Sequence, residues 1–297
     1  MSFILLGILN SQAAGNEPAF YVIGGNSGKI ATSEDGTSWT ARTSGFGTDE
    51  IRQIASGDSL YVAAGQSGKM ISSPDGITWT ARTSGFGTTY IQGLAFGDGL
   101  YVAVGQSGKM TTSTDGSSWT VRTSGFDSSN VHAAGFGNGV YLAVGQSGKM
   151  TSSPDGITWT ARTAEFGTTS IQGLAFGDGL FVAVGQSGKM TTSTNGTSWT
   201  ARTSGFGSSD IINGVVFGDG LFVAVGQSGL MSTSTNGISW TARTSGFGSV
   251  QINNVGYGAG LYVAVGDSGI VTTSPDGITW TARTSGFGIN SIFGVQG

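Results

Sequence analysis

The apolar and polar positions of this chain fall into short runs that change period at every turn and then begin again. Residues 91–126 show the pattern most clearly. Ile91–Phe96 is a short β-type run, and Gly97-Asp98-Gly99 is a turn. Leu100–Val104 is almost wholly apolar, as expected of a strand buried on both faces. Gly105–Gly108 is a second turn. Lys109–Ser113 alternates and predicts a half-buried strand. Thr114-Asp115-Gly116 is a turn of the Asp-Gly kind. Ser118–Thr123 predicts the last strand, with Trp119 and Val121 on one face and Thr120 and Arg122 on the other. No segment has helical periodicity.

The whole unit returns seven times. Its most constant part reads S-x-[DN]-G-x-[ST]-W and ends at Trp39, Trp79, Trp119, Trp159, Trp199, Trp240 and Trp280, spaced by 40 residues and once by 41. A fixed period of this length means one supersecondary unit copied along the chain. Four short antiparallel strands per unit, seven units and no helix predict an all-β fold. Its form is a seven-bladed β-propeller of four-stranded antiparallel blades.

The constant phrase has its own physical logic. Asp35, Asp75, Asp115, Asp155, Asn195, Asn236 and Asp276 are placed to accept backbone N–H bonds within their own turns. Glycine follows because the turn needs positive φ. The tryptophan then packs between sheets. Asn replaces Asp in two copies and still offers an oxygen, so the role reads as structural. Seven matched arginines, from Arg42 to Arg283, read as the solvated face of an outer edge strand.

Strands two to four each occur seven times, whereas the first-strand pattern is offered at both chain ends, by Ser2–Leu9, which does not hold the register, and by Ser291–Gln296, which does. The C-terminal strand is therefore expected to complete the first blade, whose remaining strands begin near residue 20. That divides the chain into residues 1–19, an added strand and linker, and residues 20–297, the propeller. Ser2–Leu9 is apolar but lacks the positive n-region of a signal peptide. It reads as an extra strand or as a contact to a partner subunit.

Composition narrows the function. Only 10% of residues are charged and the net charge is −4, so no basic stripe exists to neutralise phosphates, and nucleic acid is not an expected partner. One His and no Cys argue against ordinary zinc sites. No cofactor-binding motif is seen, since every Gly-rich segment leads into a strand. No apolar run reaches the length of a membrane span.

The S-x-[DN]-G-x-[ST]-W phrase resembles the Asp-box (BNR) repeat of sialidase-like propellers. The string Val104–Trp119 also looks like the repeat of photosystem II assembly-factor propellers. The near-identical copies, with F-G-D-G-L-[YF]-V-A-V-G and W-T-A-R-T, are similar to repeat proteins of tailed bacteriophages. That likeness implies a virion or tail-fibre component, hence a virion or extracellular location. The sialidase likeness implies an arginine cluster, a Tyr–Glu pair and an Asp acid/base. Here Asp49, Glu50, Arg52, Tyr90 and His132 come nearest, no carboxylate pair recurs at a spacing suited to glycoside hydrolysis, and the chain is not expected to be an enzyme.

The copies differ mainly where each first strand begins. Reading that position around the ring gives Arg52, Gln92, His132, Gln172, Asn213, Asn253 and Phe293, with Tyr90 just before. Amides and aromatics of this kind suit sugar hydroxyls and apolar sugar faces. Phe86, Phe126, Phe206 and the repeated Gln-Ser-Gly-Lys turns are further candidates. The expected ligand is a cell-surface carbohydrate bound multivalently. The alternatives are a purely structural decoration or assembly protein and a sialidase-like glycoside hydrolase.

Overall fold

A computed structural model describes residues 21–297. Residues 1–19, read above as an added strand and linker, and the contact assigned to Ser2–Leu9 lie outside them. The described chain forms seven separate four-stranded antiparallel sheets. Six are consecutive in sequence, beginning at Ile51, Ile91, Val131, Ile171, Ile212 and Ile252. We number these blades 2 to 7.

Blade 1 closes the ring. Ile292–Gln296 pairs antiparallel with Tyr21–Gly25, with Ile23 opposite Val295, and supplies the innermost strand of a sheet otherwise built from residues 21–42. The two ends of the described chain are thus held in one sheet, as the register of Ser291–Gln296 predicted.

One blade cannot bury its own faces, and seven apolar clusters show how the ring does so. Each joins a blade to the one before it. Val102, Val104 and Met110 of blade 3 meet Val131, Tyr141 and Ala143 of blade 4, with Phe126 between them. Each tryptophan packs on the cluster at its own blade's inner boundary, as Trp159 does here. Trp199 is the most deeply set, at 8% exposure.

Hydrogen bonds reinforce the same boundaries. The Tyr21, Tyr101, Tyr141 and Tyr262 hydroxyls donate to the Gly258, Gly57, Gly97 and Gly218 carbonyls of the preceding blade. At the opposite end, Lys69 Nζ donates to the Phe46 carbonyl at 2.7 Å and Lys109 Nζ to that of Phe86 at 2.8 Å. Lys29, Lys149 and Lys189 repeat the bond.

The constant turns are built as their chemistry predicts. Asp75 Oδ1 accepts the N–H groups of Ile77 at 2.8 Å and Thr78 at 2.7 Å. Asn195 Oδ1 accepts those of Thr197 at 2.9 Å and Ser198 at 3.0 Å, so an amide serves as well as a carboxylate. The glycine after each acceptor has φ between 62° and 70°.

The outer strand departs from expectation. In blade 3 it spans Thr120–Thr123, starting after Trp119, and Val121 is 65% exposed instead of sharing the tryptophan's cover. No sheet lies over this edge, so both of its faces meet solvent. The arginines are more than a solvated fringe. Arg122 Nε donates to Thr112 Oγ1 at 2.9 Å and Arg82 Nε to Ser72 Oγ at 2.7 Å. All seven blades repeat this tie between their third and fourth strands.

Candidate functional site

The seven first strands stand around the ring axis and line a central cavity of about 450 Å³. Arg52, Gln92, His132, Gln172, Asn213, Asn253 and Phe293 all face it. Their position has a local cause. In blade 3 the ladder pairs Ile91 with Gly105 and then Gly93 with Val104, so Gln92 is an extra, unpaired residue. Such a bulge bends the strand and re-aims one side chain. Every blade has it, with His132, Gln172, Asn213, Asn253, Arg52 and Phe293 as the bulged residues. Gly105 is obligatory opposite, because a Cβ there would lie 2.2 Å from the Tyr90 carbonyl oxygen. The sequence signal for the bulge is this recurrent glycine, which composition alone presents as one more turn residue.

Part of the ring of polar side chains is occupied by the protein itself. His132 Nδ1 lies 3.0 Å from the Ile171 carbonyl oxygen and must carry the proton to make that bond. Burial foremost lowers the His132 pKa, against the Ile171 carbonyl bond and with repulsion from the Arg52 cation as a lesser contribution. Asn213 Nδ2 donates to the Ile252 carbonyl at 2.8 Å, and Asn253 Nδ2 to that of Ile292 at 3.0 Å. These residues tie one first strand to the next. Gln92 Oε1, in contrast, is buried without a hydrogen-bond partner.

Charge gathers at one sector of the mouth. Tyr90 stands beside the cavity and does not line it. Its hydroxyl donates to Glu50 Oε1, which also lies 3.7 Å from an Arg52 guanidinium nitrogen. The guanidinium stacks 4.9 Å from the centre of the Phe293 ring. Burial first and the Glu50 bond second push the Tyr90 pKa up. Asp49 is paired with Lys69 at 2.8 Å. Among the described residues that line the cavity, Arg52 carries the only full charge. Among the described residues no three His, Asp or Glu side chains gather into a metal-binding group.

The cavity has two unlike walls. Blades 7, 1 and 2 present Asn253, Asn254, Gln296, Arg52, Gln53 and Ser56. Asn254 Nδ2 bridges to Gln53 Oε1 at 3.2 Å, reaching past blade 1. Below their bulged Gln92, His132, Gln172 and Asn213, blades 3 to 6 present mainly apolar side chains, Leu94, Phe96, Phe136, Leu174, Phe176 and Val215.

Two groups of sequence candidates are elsewhere. Phe86 and Phe126 are fully buried and offer no face to a sugar, and the half-buried Phe206 packs against the cluster between blades 5 and 6. The Gln-Ser-Gly-Lys turns are engaged as blade-to-blade ties. Gln66 Oε1 accepts the Glu50 N–H at 3.1 Å and Gln106 Oε1 the Tyr90 N–H at 3.3 Å, beside the lysine bonds already described.

The profile of the DUF6242 β-propeller domain matches residues 13–130 and 167–295, the greater part of the chain. The chain belongs to this family. Curated protein sequences give no match. Among solved structures, a YCF48 bound to a D1 peptide is similar, with 18% identity and a TM-score of 0.60 over 78% of this chain and 81% of that one. Virginiamycin B lyase from Staphylococcus aureus shares 12% identity, with a TM-score of 0.70 over 78% and 83% of the two chains. The computationally designed Ika8 protein shares 14%, with a TM-score of 0.68 over 95% and 88%. At these identities the likeness is one of fold.

Proposed function

We propose that this DUF6242 propeller is a non-catalytic binding module that engages its ligand at the channel mouth. The observation that carries the reading is the bulge in every first strand, which turns the one variable position of the repeat into the cavity. The finer form of the proposal is a virion or tail-fibre component that contacts cell-surface glycans through several copies. Its support is the likeness of the repeats to phage proteins and the amide-rich mouth, where weak contacts gain avidity from valency. A glycan array probed with multimerised protein should give hits that Arg52→Ala and Gln172→Ala weaken. An array without hits at high valency sinks the glycan form.

Catalysis is argued against by the chemistry of the charged sector. Tyr90 and Glu50 form a pair of the kind a sialidase-like enzyme needs. Yet the Tyr90 pKa is raised, away from an activated nucleophile, Arg52 stands without a second arginine in the cavity wall, and Asp49 is committed to Lys69. A fluorogenic sialoside is expected to stay intact. Its release, abolished by Glu50→Ala, would overturn this part of the proposal.

A second reading is an assembly protein, favoured by the apolar wall of blades 3 to 6 and by the fold shared with a YCF48 that is bound to a D1 peptide. In that reading Ser2–Leu9 provides attachment. Deleting residues 2–16 without any change in incorporation into the assembly would remove that role.

A further inference from the structure

The repeat breaks its period once, and the break falls beside the cavity. Trp199 and Trp240 are 41 residues apart, where every other spacing is 40. The extra residue lies in the connection from blade 5 to blade 6, since Ile212 follows Phe206 by six positions and Ile171 follows Phe166 by five. It changes the turn it packs on. The Asp210 carbonyl takes the Gly188 N–H at 2.8 Å, and Ile211 forms a β-bridge with Gln186. Residues 186–188 therefore lack the short 3₁₀ turn that the matching segments of the six other blades form.

That change releases a side chain. Gln66, Gln106 and Gln146 each accept a backbone N–H beside them, from Glu50, Tyr90 and Asn130. The matching bond would join Gln186 to the Ser170 N–H, and it is not made. Gln186 is half-buried and lines the cavity, which Gln66, Gln106, Gln146 and Gln227 do not. Gln172, the bulged residue of the same blade, lines it too. The Gln186 N–H donates to the Ser170 carbonyl at 3.0 Å, so the two glutamines leave the backbone close together. Among the described residues neither side-chain amide has a hydrogen-bond partner. The rest of the polar ring is less available. Asn213 and Asn253 spend Nδ2 on the next strand, and Gln92 Oε1 is shut off from solvent.

The chemistry of the pair defines the ligand. Each amide offers two N–H donors and one carbonyl acceptor, without charge. Two neighbouring hydroxyls of a sugar ring match this, because each both donates and accepts. Arg52, the full charge in the lining, stands three blades away on blade 2, so an anionic group gains no ion pair here. Leu174, half-buried two residues beyond Gln172, offers apolar surface to the C–H side of a ring. The cavity, at about 450 Å³, lies within the roughly 300–1,000 Å³ of preformed small-molecule sites.

We propose that Gln172 and Gln186 of blade 5 are the specificity-determining pair of the mouth and clamp a vicinal diol of an uncharged hexose. This locus rests on the reading of the mouth as a glycan-binding surface.

The methyl glycosides of glucose, galactose and mannose are titrated into the full chain and followed through the side-chain NH₂ signals of Gln172 and Gln186. The best of them should bind with a dissociation constant on the order of 1–10 mM and shift both signals. Its analogue lacking one hydroxyl of the diol should bind about fivefold more weakly, and its 6-carboxylate about equally. Gln186→Ala removes a side chain that ties nothing, so it should fold and weaken binding about tenfold. Gln66→Ala, at the matching turn of blade 2, should leave binding unchanged. Deleting Ser209 restores the 40-residue spacing and should return Gln186 to the Ser170 N–H, lowering binding to the Gln186→Ala level. Absence of shifts at both glutamines up to the solubility limit of the glycosides overturns the proposal. So does binding undiminished in Gln186→Ala with the thermal melt intact. N-acetylglycinamide binding more tightly than every glycoside overturns the diol in favour of a peptide amide, and a 6-carboxylate that binds far more tightly overturns the uncharged form. Glycan-array hits that survive Gln186→Ala overturn this locus and leave the glycan reading standing. An empty array beside saturable glycoside shifts does the opposite.

Discussion

The two ends of each blade obey different rules. At one end lies the S-x-[DN]-G-x-[ST]-W turn, nearly the same in all seven blades, with its acceptor oxygen directed at its own backbone. At the other lies the bulged start of the first strand, where Arg, Gln, His, Asn and Phe replace one another. The first end is constrained because the turn, the glycine and the tryptophan must all fit the neighbouring blade. The second is free because a bulged side chain leaves the ladder and projects into a cavity. A repeat motif therefore marks what holds the ring together, and the residues that break the repeat mark where the fold leaves a side chain free to vary.

The sharpest way to break this comparison is to remove the one strand that belongs to both ends of the chain. Deleting residues 291–297 takes Ile292–Gln296 from blade 1 and uncovers the fully buried Ile23 together with the cluster it shares with blade 7. The expected result is loss of the cooperative thermal transition. A truncated chain that melts like the full one would mean that closure contributes little.

Next in size is a contrast within one blade. Trp199→Ala should cost about 3–5 kcal/mol in urea unfolding, as for other large-to-small changes in a core. Gln172→Ala, at the mouth of the same blade, should change stability by no more than about 0.5 kcal/mol. Equal costs would erase the distinction between the two ends.

Smaller, and opposite in sign, is the effect at the third strand. Thr111, Thr151, Thr191 and Thr272 hold buried hydroxyl oxygens without partners, while blade 2 carries Ile71 at the same register. Thr111→Val replaces an unsatisfied hydroxyl by a methyl group of similar shape. It should raise stability by about 1 kcal/mol, read as a higher urea midpoint at unchanged slope.

Period and turn chemistry made nearly all of the fold legible before any coordinates. The seven blades follow from the spacing of the tryptophans, and the closure follows from Ser291–Gln296. The uses of Lys109, Gln106 and Arg122 were not legible. Each is a long polar side chain at an exposed-looking position, and only three-dimensional adjacency supplies the Phe86 carbonyl, the Tyr90 N–H and the Thr112 hydroxyl that engage them. Phe86 and Phe126 were misread for the same reason. They follow Ser-Gly in a connecting segment, yet that segment dives between two blades and buries them. The variable ring from Arg52 to Phe293 was visible as variation, but the bulge that turns it inward was not, because its one mark, the glycine typified by Gly105, reads in the sequence as a turn residue.

The smallest expected effect comes from protons at the repeated turns. Asp115 is held at about 2, well below its ordinary value of 3.8, chiefly by the Ser118 N–H and then by the Ser117 N–H and the Ser113 hydroxyl. Asp276 is held at about 2 by the Thr279 and Ile278 N–H groups. A carboxylate whose folded pKa is depressed adds stability that is complete above its unfolded pKa and fades as pH falls through the folded one. The loss should therefore run from about pH 4 down to pH 2, whereas the Asn195 and Asn236 turns, which do not titrate, should contribute none of it. These carboxylates lie at the surface, where solvent screens them, so each turn adds little. Replacing Asp35, Asp75, Asp115, Asp155 and Asp276 together by Asn should flatten the melting temperature across this range and leave the value at pH 7 close to that of the parent. A variant whose acid sensitivity is undiminished would place the titrating groups outside these turns.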